Sequence, residues 1–144
     1  MILISVAILG YLTGSVSFTR IIVRLFSPDP SVQDLQLEVP GSDAKYKSTA
    51  VSASAVNLQL GPRYGCLTSL LDMAKIAIPA LLLKFNFPQF PYHLIFAASG
   101  TMGHIWPVYY KFRGGRGMST ILAGFAVVDW LGVLITFFIS VLVG

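Results

Sequence analysis

Four stretches of this 144-residue chain are long and apolar enough to suit hydrocarbon better than water. A membrane-crossing helix needs roughly 20 mostly apolar residues. Ile2 to about Phe26, Leu67–Phe85, Tyr92–Tyr110 and Ser119–Val143 all approach or exceed that length. A soluble domain of this size lacks the interior volume to hide so much apolar surface. Charged residues make up only 11% of the chain, against about 25% in soluble domains. The expected fold is therefore all-α: a polytopic transmembrane helix bundle with four long spans, plus a short or re-entrant helix near residues 48–60. It forms a single integral membrane domain over residues 1–144.

The first apolar run reads as a retained span rather than a cleaved signal. No Lys or Arg precedes it, no small-residue cleavage site ends a short core, and apolar character continues through Ile21–Phe26. The connecting segments are polar or proline-rich. Ser27–Tyr46 carries Asp29, Asp34, Glu38 and Asp43, and Asn86–Pro91 reads NFPQFP, too rich in proline for helix. Numbering the spans in order places Arg24, Lys45, Lys47, Arg63, Lys111, Arg113 and Arg116 on one side and Lys84 on the other. Positive residues collect on the cytoplasmic side. The N-terminus is thus expected outside, with Ser27–Tyr64 and Lys111–Gly117 in the cytoplasm. The net charge of +4 lies beside apolar spans, which points to a membrane surface as partner and not to nucleic acid. Cys66 is the only cysteine, so no internal disulfide forms, and it is expected as a small buried residue.

The densest polar signal is Lys111-Phe-Arg-Gly-Gly-Arg-Gly117, immediately before a helical stretch. Glycine lets backbone N–H groups approach an anion, a helix N-terminus favours negative charge, and arginine offers a bidentate fork. These features suit a phosphate site, or equally a positive anchor touching lipid headgroups. Just upstream, Gly103-His-Ile-Trp-Pro-Val-Tyr109 puts His104 near the same end of the span, with Pro107 set to kink or end the helix. His104 is expected either to bond a neighbouring carbonyl or to touch substrate. Asp72 and Lys75 share a helix face and can form a structural ion pair or a proton relay. Asp129, with no basic neighbour in sequence, marks a bundle contact or a break between half-spans. Gly14-Ser-Val-Ser-Phe18 suggests close helix packing, and the nearby Arg20 suggests an anion or carboxylate partner.

Taken in order, these patches resemble the acyl-phosphate-dependent glycerol-3-phosphate acyltransferases of bacteria, the PlsY family. Gly10-Tyr-Leu-Thr-Gly-Ser-Val-Ser-Phe18 is similar to that family's first-span motif, with Ser17 in place of proline. Leu70-Leu-Asp-Met-Ala-Lys75 resembles its L-L-D-x-x-K stretch, and residues 103–109 with 112–117 resemble G-H-x-F-P-V-F followed by F-K-G-G-K-G. In this last motif both family lysines are arginine here. The family's second motif, G-S-G-N-I-G-A-T-N, is eroded here and aligns in two registers, one through Gly41-Ser42 with Asp43-Ala44 in place of Gly-Asn, the other through Ser48 and Ala53 with Ala50 and Ala55 in place of asparagine. The family continues through further helices and a polar C-terminal motif, so the resemblance implies either a short relative or part of a longer sequence.

The resemblance also implies a reaction: transfer of a fatty acyl group from acyl-phosphate to glycerol 3-phosphate, giving lysophosphatidic acid and phosphate. The donor is already activated, so no enzyme nucleophile is required, and no G-x-S-x-G elbow is present. No metal or other cofactor is implied. The expected substrate-binding residues are Arg113, Arg116, the amides of Gly114, Gly115 and Gly117, and His104. Ser15, together with Ser42 or Ser48, adds hydroxyls, and the acyl tail lies in contact with the lipid bilayer. Two other readings fit the residues: a non-catalytic lipid- or anion-binding relative, and a small transporter component built around Asp72, Lys75 and Asp129.

Overall fold

The computed structural model describes residues 1–27, 37–38, 45–46 and 52–143. Among these the chain is helical apart from a short antiparallel ribbon, β1 (Leu37–Glu38) with β2 (Lys45–Tyr46), in which Leu37 faces Tyr46. The helices are α1 (Ile2–Ser15), α2 (Phe18–Phe26), α3 (Ala53–Leu60), α4 (Pro62–Asn86), α5 (Tyr92–Ile105), α6 (Met118–Val128) and α7 (Trp130–Val143), with a 3₁₀ turn at Val108–Tyr110.

Local chemistry sets several boundaries. Val16 and Ser17 take extended conformations between α1 and α2, and the Ser17 side chain accepts from the Arg20 amide to cap α2. Ser52 caps α3 in the same way. Gly61, at φ 95°, turns the chain into α4, whose first residue Pro62 needs no amide partner. Two helices are long and apolar enough to cross a membrane: Ile2–Phe26 taken through its break, and Pro62–Asn86.

The other two apolar stretches are interrupted. Helix α5 ends at Ile105, short of Tyr110, because Pro107 can neither donate nor fit against a preceding turn. The last stretch divides into α6 and α7 at Asp129, the half-span break that a lone acid suggested. Asp129 Oδ1 accepts from the Gly132 amide at 2.9 Å and so caps α7. The short helix expected near residues 48–60 occurs as Ala53–Leu60, and its expected first turn lies outside the described residues. Cys66 is exposed rather than buried, because it lies on an outward face of α4.

The bundle is arranged for an apolar solvent. Ile4, Ile8 and Leu9 of α1 and Leu70, Ile78, Leu82 and Phe85 of α4 are exposed, whereas Ser15, Thr19, Thr68, Asp72, Lys75, His104 and Thr120 are buried. This is the reverse of a soluble core. Interior contacts also fix the helix directions. Gly10 meets Phe96 and Ser15 meets Gly103, so α1 and α5 run the same way; Lys75 meets His104 while Ala80 packs with Phe96, so α4 runs opposite to both.

The α1–α5 contact is close enough for backbone to touch backbone. A Cβ on Gly14 would collide with the Gly100 carbonyl, and small residues are what permit such an approach. Gly14→Val should therefore force the two helices apart and cost about 1–3 kcal/mol. The expected readout is a lowered melting temperature in detergent, with the outward-facing Ile8→Leu unchanged. An unaltered melting temperature for Gly14→Val would contradict this packing.

Candidate anion site at the end of the bundle

Residues 106–117 form a compact loop folded back on the end of α5. Several hydrogen bonds hold it. Tyr11 donates its hydroxyl to the Trp106 carbonyl at 2.7 Å. The Phe112 amide donates to Pro107 at 3.0 Å, the Arg113 amide to Tyr110 at 3.1 Å, and the Gly115 amide to the His104 carbonyl at 3.1 Å. Lys111 and Phe112 both have positive φ, 51° and 60°. Such a conformation costs an L-residue roughly 1–2 kcal/mol and persists only where neighbouring bonds over-determine it.

The glycines are required by proximity. A Cβ on Gly114 would overlap the His104 and Ile105 carbonyls, and one on Gly115 would overlap the His104 imidazole. Gly117 adopts φ 81° and leads into α6. The Gly114 and Gly117 amides have no acceptor among the described residues. The Gly115 amide, expected to face an anion, is instead bonded to His104. Arg113 and Arg116 are exposed on either side of the glycine pair, with no carboxylate partner among the described residues. Two free amides, two guanidinium groups and the start of a helix thus converge on one short loop. Donors of these kinds gathered within one loop suit an anion.

Behind the loop lies a buried polar cluster. Lys75 Nζ is 2.8 Å from Asp72 Oδ1, 3.0 Å from His104 Nδ1 and 2.6 Å from the Val16 carbonyl. Asp72 and Lys75 are 2% and 9% exposed; at that burial an unpaired charge would be prohibitive, so each is held by the other. The structural pairing expected of them is present, and it extends to His104. Arg20 finds no carboxylate among the described residues. Its Nη2 donates to the Arg113 carbonyl at 3.1 Å, and its guanidinium lies 4.7 Å from the centroid of the Tyr110 ring. The loop carbonyl and ring engage only part of the guanidinium, since its Nε is buried with no hydrogen-bond partner among the described residues.

The structure therefore groups His104, Gly114, Gly115 and Gly117, with Arg113 and Arg116 at the edge. Ser15 is buried behind them, its hydroxyl donating to the Tyr11 carbonyl at 2.8 Å and its backbone packed on Gly103. Ser42 and Ser48 lie outside the described residues. Helix α2 links this loop to the region carrying the second motif, since Arg20 reaches Arg113 while Ile22 and Val23 pack on Val56 of α3. Sequence reasoning missed Tyr11 and Lys84. A tyrosine in an apolar run gives no sign of the distant carbonyl it will meet, and Lys84, read as a lone cation in an outer loop, donates to the Val127 carbonyl at 2.5 Å at the end of α6. The charges that motivated a transporter are thus engaged in an ion pair and a helix cap.

Comparison with known proteins agrees with this arrangement. Residues 4–144 match the family model described as glycerol-3-phosphate acyltransferase. Proteins named glycerol-3-phosphate acyltransferase from Pelagibacter ubique and Aquifex aeolicus are each 32% identical, over 94% and 89% of this chain and 67% and 66% of their own lengths. That from Shouchella clausii is 33% identical over 97% of this chain and 63% of its own. Two crystal structures of PlsY, an integral membrane glycerol 3-phosphate acyltransferase, superpose with TM-scores of 0.76 for the glycerol 3-phosphate form and 0.75 for the lysophosphatidic acid form. Identities are 29% and 28%, covering 96% of this chain and 63% and 62% of those chains. The chain thus spans about two thirds of the length of these relatives, and its helical membrane fold is theirs. By sequence and by fold, the chain belongs to the glycerol-3-phosphate acyltransferase family.

Proposed function

We propose that this chain carries the phosphate-handling part of a membrane acyltransferase that moves a fatty acyl group from acyl-phosphate to glycerol 3-phosphate, in phospholipid biosynthesis. The observation that carries the reading is the folded loop at residues 111–117, where free glycine amides and two arginines converge against His104, within a chain matching the family over residues 4–144. In the reaction the glycerol hydroxyl oxygen bonds to the acyl carbon, the bond from that carbon to the phosphate oxygen breaks, and phosphate leaves carrying the hydroxyl proton. Both substrates are anions, so the site must first hold two like charges together and then stabilise the charge passing to the leaving group. Arg113, Arg116 and the Gly114 and Gly117 amides are the donors for that work, with His104 at the back of the pocket. Ser42 or Ser48 supplies a further hydroxyl, and Ser15 supports the wall behind His104. The acyl chain lies against the apolar outer faces of the helices, in the bilayer.

The same reading includes four spans, counting Tyr92–Tyr110 and Ser119–Val143 despite their breaks, with the N-terminus outside and the site facing the cytoplasm of a cell membrane. The parallel course of α1 and α5, opposed by α4, supports it. In a background lacking the native cysteine (Cys66→Ser), Lys111→Cys should resist a membrane-impermeant maleimide in intact cells, whereas Gln89→Cys should react. The opposite labelling would reject the orientation.

The functional test uses purified protein in detergent with acyl-phosphate and glycerol 3-phosphate, following phosphate release. Turnover is expected, and Arg116→Ala should weaken glycerol 3-phosphate binding about ten- to hundred-fold through loss of charge-assisted hydrogen bonds. Binding that depends on Arg116 without turnover would instead favour a non-catalytic anion-binding relative. Binding indifferent to Arg116 would remove the loop from the site.

A further inference from the structure

Lys75 meets three acceptors from three parts of the fold: the Asp72 carboxylate on its own helix, the Val16 carbonyl at the α1–α2 break, and His104 Nδ1 on α5. An ammonium has three hydrogens and no lone pair. With all three contacts within hydrogen-bond distance, every hydrogen has a place and Nδ1 of His104 can only accept. A hydrogen on Nδ1 would point at the ammonium, and an imidazolium there would set two cations 3.0 Å apart in a buried site. The Asp72 oxygen lies 3.6 Å from Nδ1, too far to compete for such a hydrogen. The ring's single hydrogen must then sit on Nε2, on the opposite edge. That edge faces Gly115, close enough that a Cβ there would collide with Nε2. Nε2 has no partner among the described residues.

We infer that Lys75 is a positioning residue for the anion site: it fixes His104 as the Nε2–H tautomer, so that the imidazole offers a hydrogen-bond donor, and not a base, to a phosphate held by the 113–117 loop. The inference rests on the reading of that loop as a phosphate site. It gives the buried ion pair a role beyond packing. The Asp72 carboxylate pairs with Lys75, the ammonium orients the ring, and the backbone carbonyl of His104 holds the Gly115 amide. One chain of contacts therefore sets both the shape of the loop and the polarity of the group behind it. A second-layer hydrogen bond that selects a histidine tautomer is a general means of assigning its role.

The test reads the tautomer directly. In protein with ¹⁵N-labelled histidine, with His93→Gln used to assign the two rings, long-range ¹H–¹⁵N correlation spectra in micelles should show His104 with a pyrrole-type Nε2 and a pyridine-type Nδ1. Asp72→Leu combined with Lys75→Met removes both charges together and should release the ring to a mixture of tautomers, with inorganic phosphate bound about tenfold more weakly. Should that pair fail to fold, the intact cluster is tested by His104→Gln, whose amide reaches the Nε2 position, against His104→Asn, whose amide reaches only Nδ1. Phosphate binding should survive in the first and fall about tenfold in the second. An Nδ1–H or doubly protonated ring in the unmodified protein, an unchanged tautomer in the double variant, or equal losses in the Gln and Asn variants would overturn the inference. Titration with inorganic phosphate separates it from the underlying reading. If the Gly114 and Gly117 amides shift while His104 Nε2 does not, the tautomer role fails and the anion site stands. If none of them shifts, the anion site fails and the inference falls with it.

Discussion

In an apolar surrounding a backbone carbonyl without a partner costs several kcal/mol, and this chain interrupts its apolar helices three times. Each interruption is closed by a side chain arriving from another helix. At the α1–α2 break the Val16 carbonyl accepts from Lys75 of α4. Where α5 ends before Pro107, the Trp106 carbonyl accepts from Tyr11 of α1, and the His104 carbonyl accepts from the returning Gly115 amide. At the α6–α7 break, Lys84 of α4 reaches the Val127 and Val128 carbonyls, and Asp129 turns back to cap the next helix. The few charged residues placed within apolar stretches are thus accounted for largely by the backbone they repair.

This requirement links fold to site. The loop that gathers Arg113, Arg116 and the glycines hangs from the broken end of α5, so its conformation is fixed by the bonds that satisfy the break. Its two non-glycine residues with positive φ are held by those bonds and by Arg20, which crosses from α2 to the Arg113 carbonyl. For the proposed function, donors held this way would be organised before an anion arrived, which is what makes such donors effective. The price is two desolvated charges, Asp72 and Lys75, a pair that would contribute little net stability on its own.

Much of this was legible in residue order. The apolar stretches, the polar connection after Phe26, the short helix before Gly61, the possible break at Asp129 and the pairing of Asp72 with Lys75 all follow from local periodicity and spacing. The loop of glycines and arginines stood out for the same reason, because its chemistry is concentrated in seven consecutive residues, Lys111–Gly117. The contacts Arg20 makes, to a carbonyl and an aromatic face of residues 110–113, were not legible, because neither carries a charge that a sequence could advertise. Cys66 was misplaced because hydrophobicity identifies a residue's preferred solvent but not which face of a lipid-suited helix it occupies, and in such a bundle both faces are apolar.

The sequence by itself determined that the chain is helical and suited to hydrocarbon, some of the points where its helices stop, and which residue types could bind an anion. These depend on side-chain character and on interactions within a few residues. Only the tertiary structure decided which amides are free and which are engaged, that Lys75 bonds to His104, and that Tyr11 and Lys84 close breaks in other helices. Those outcomes depend on how near α1, α4 and α5 approach one another. That distance is set by glycine backbones in contact across helices, such as Gly14 on Gly100, and no single helix carries it in its own order of residues.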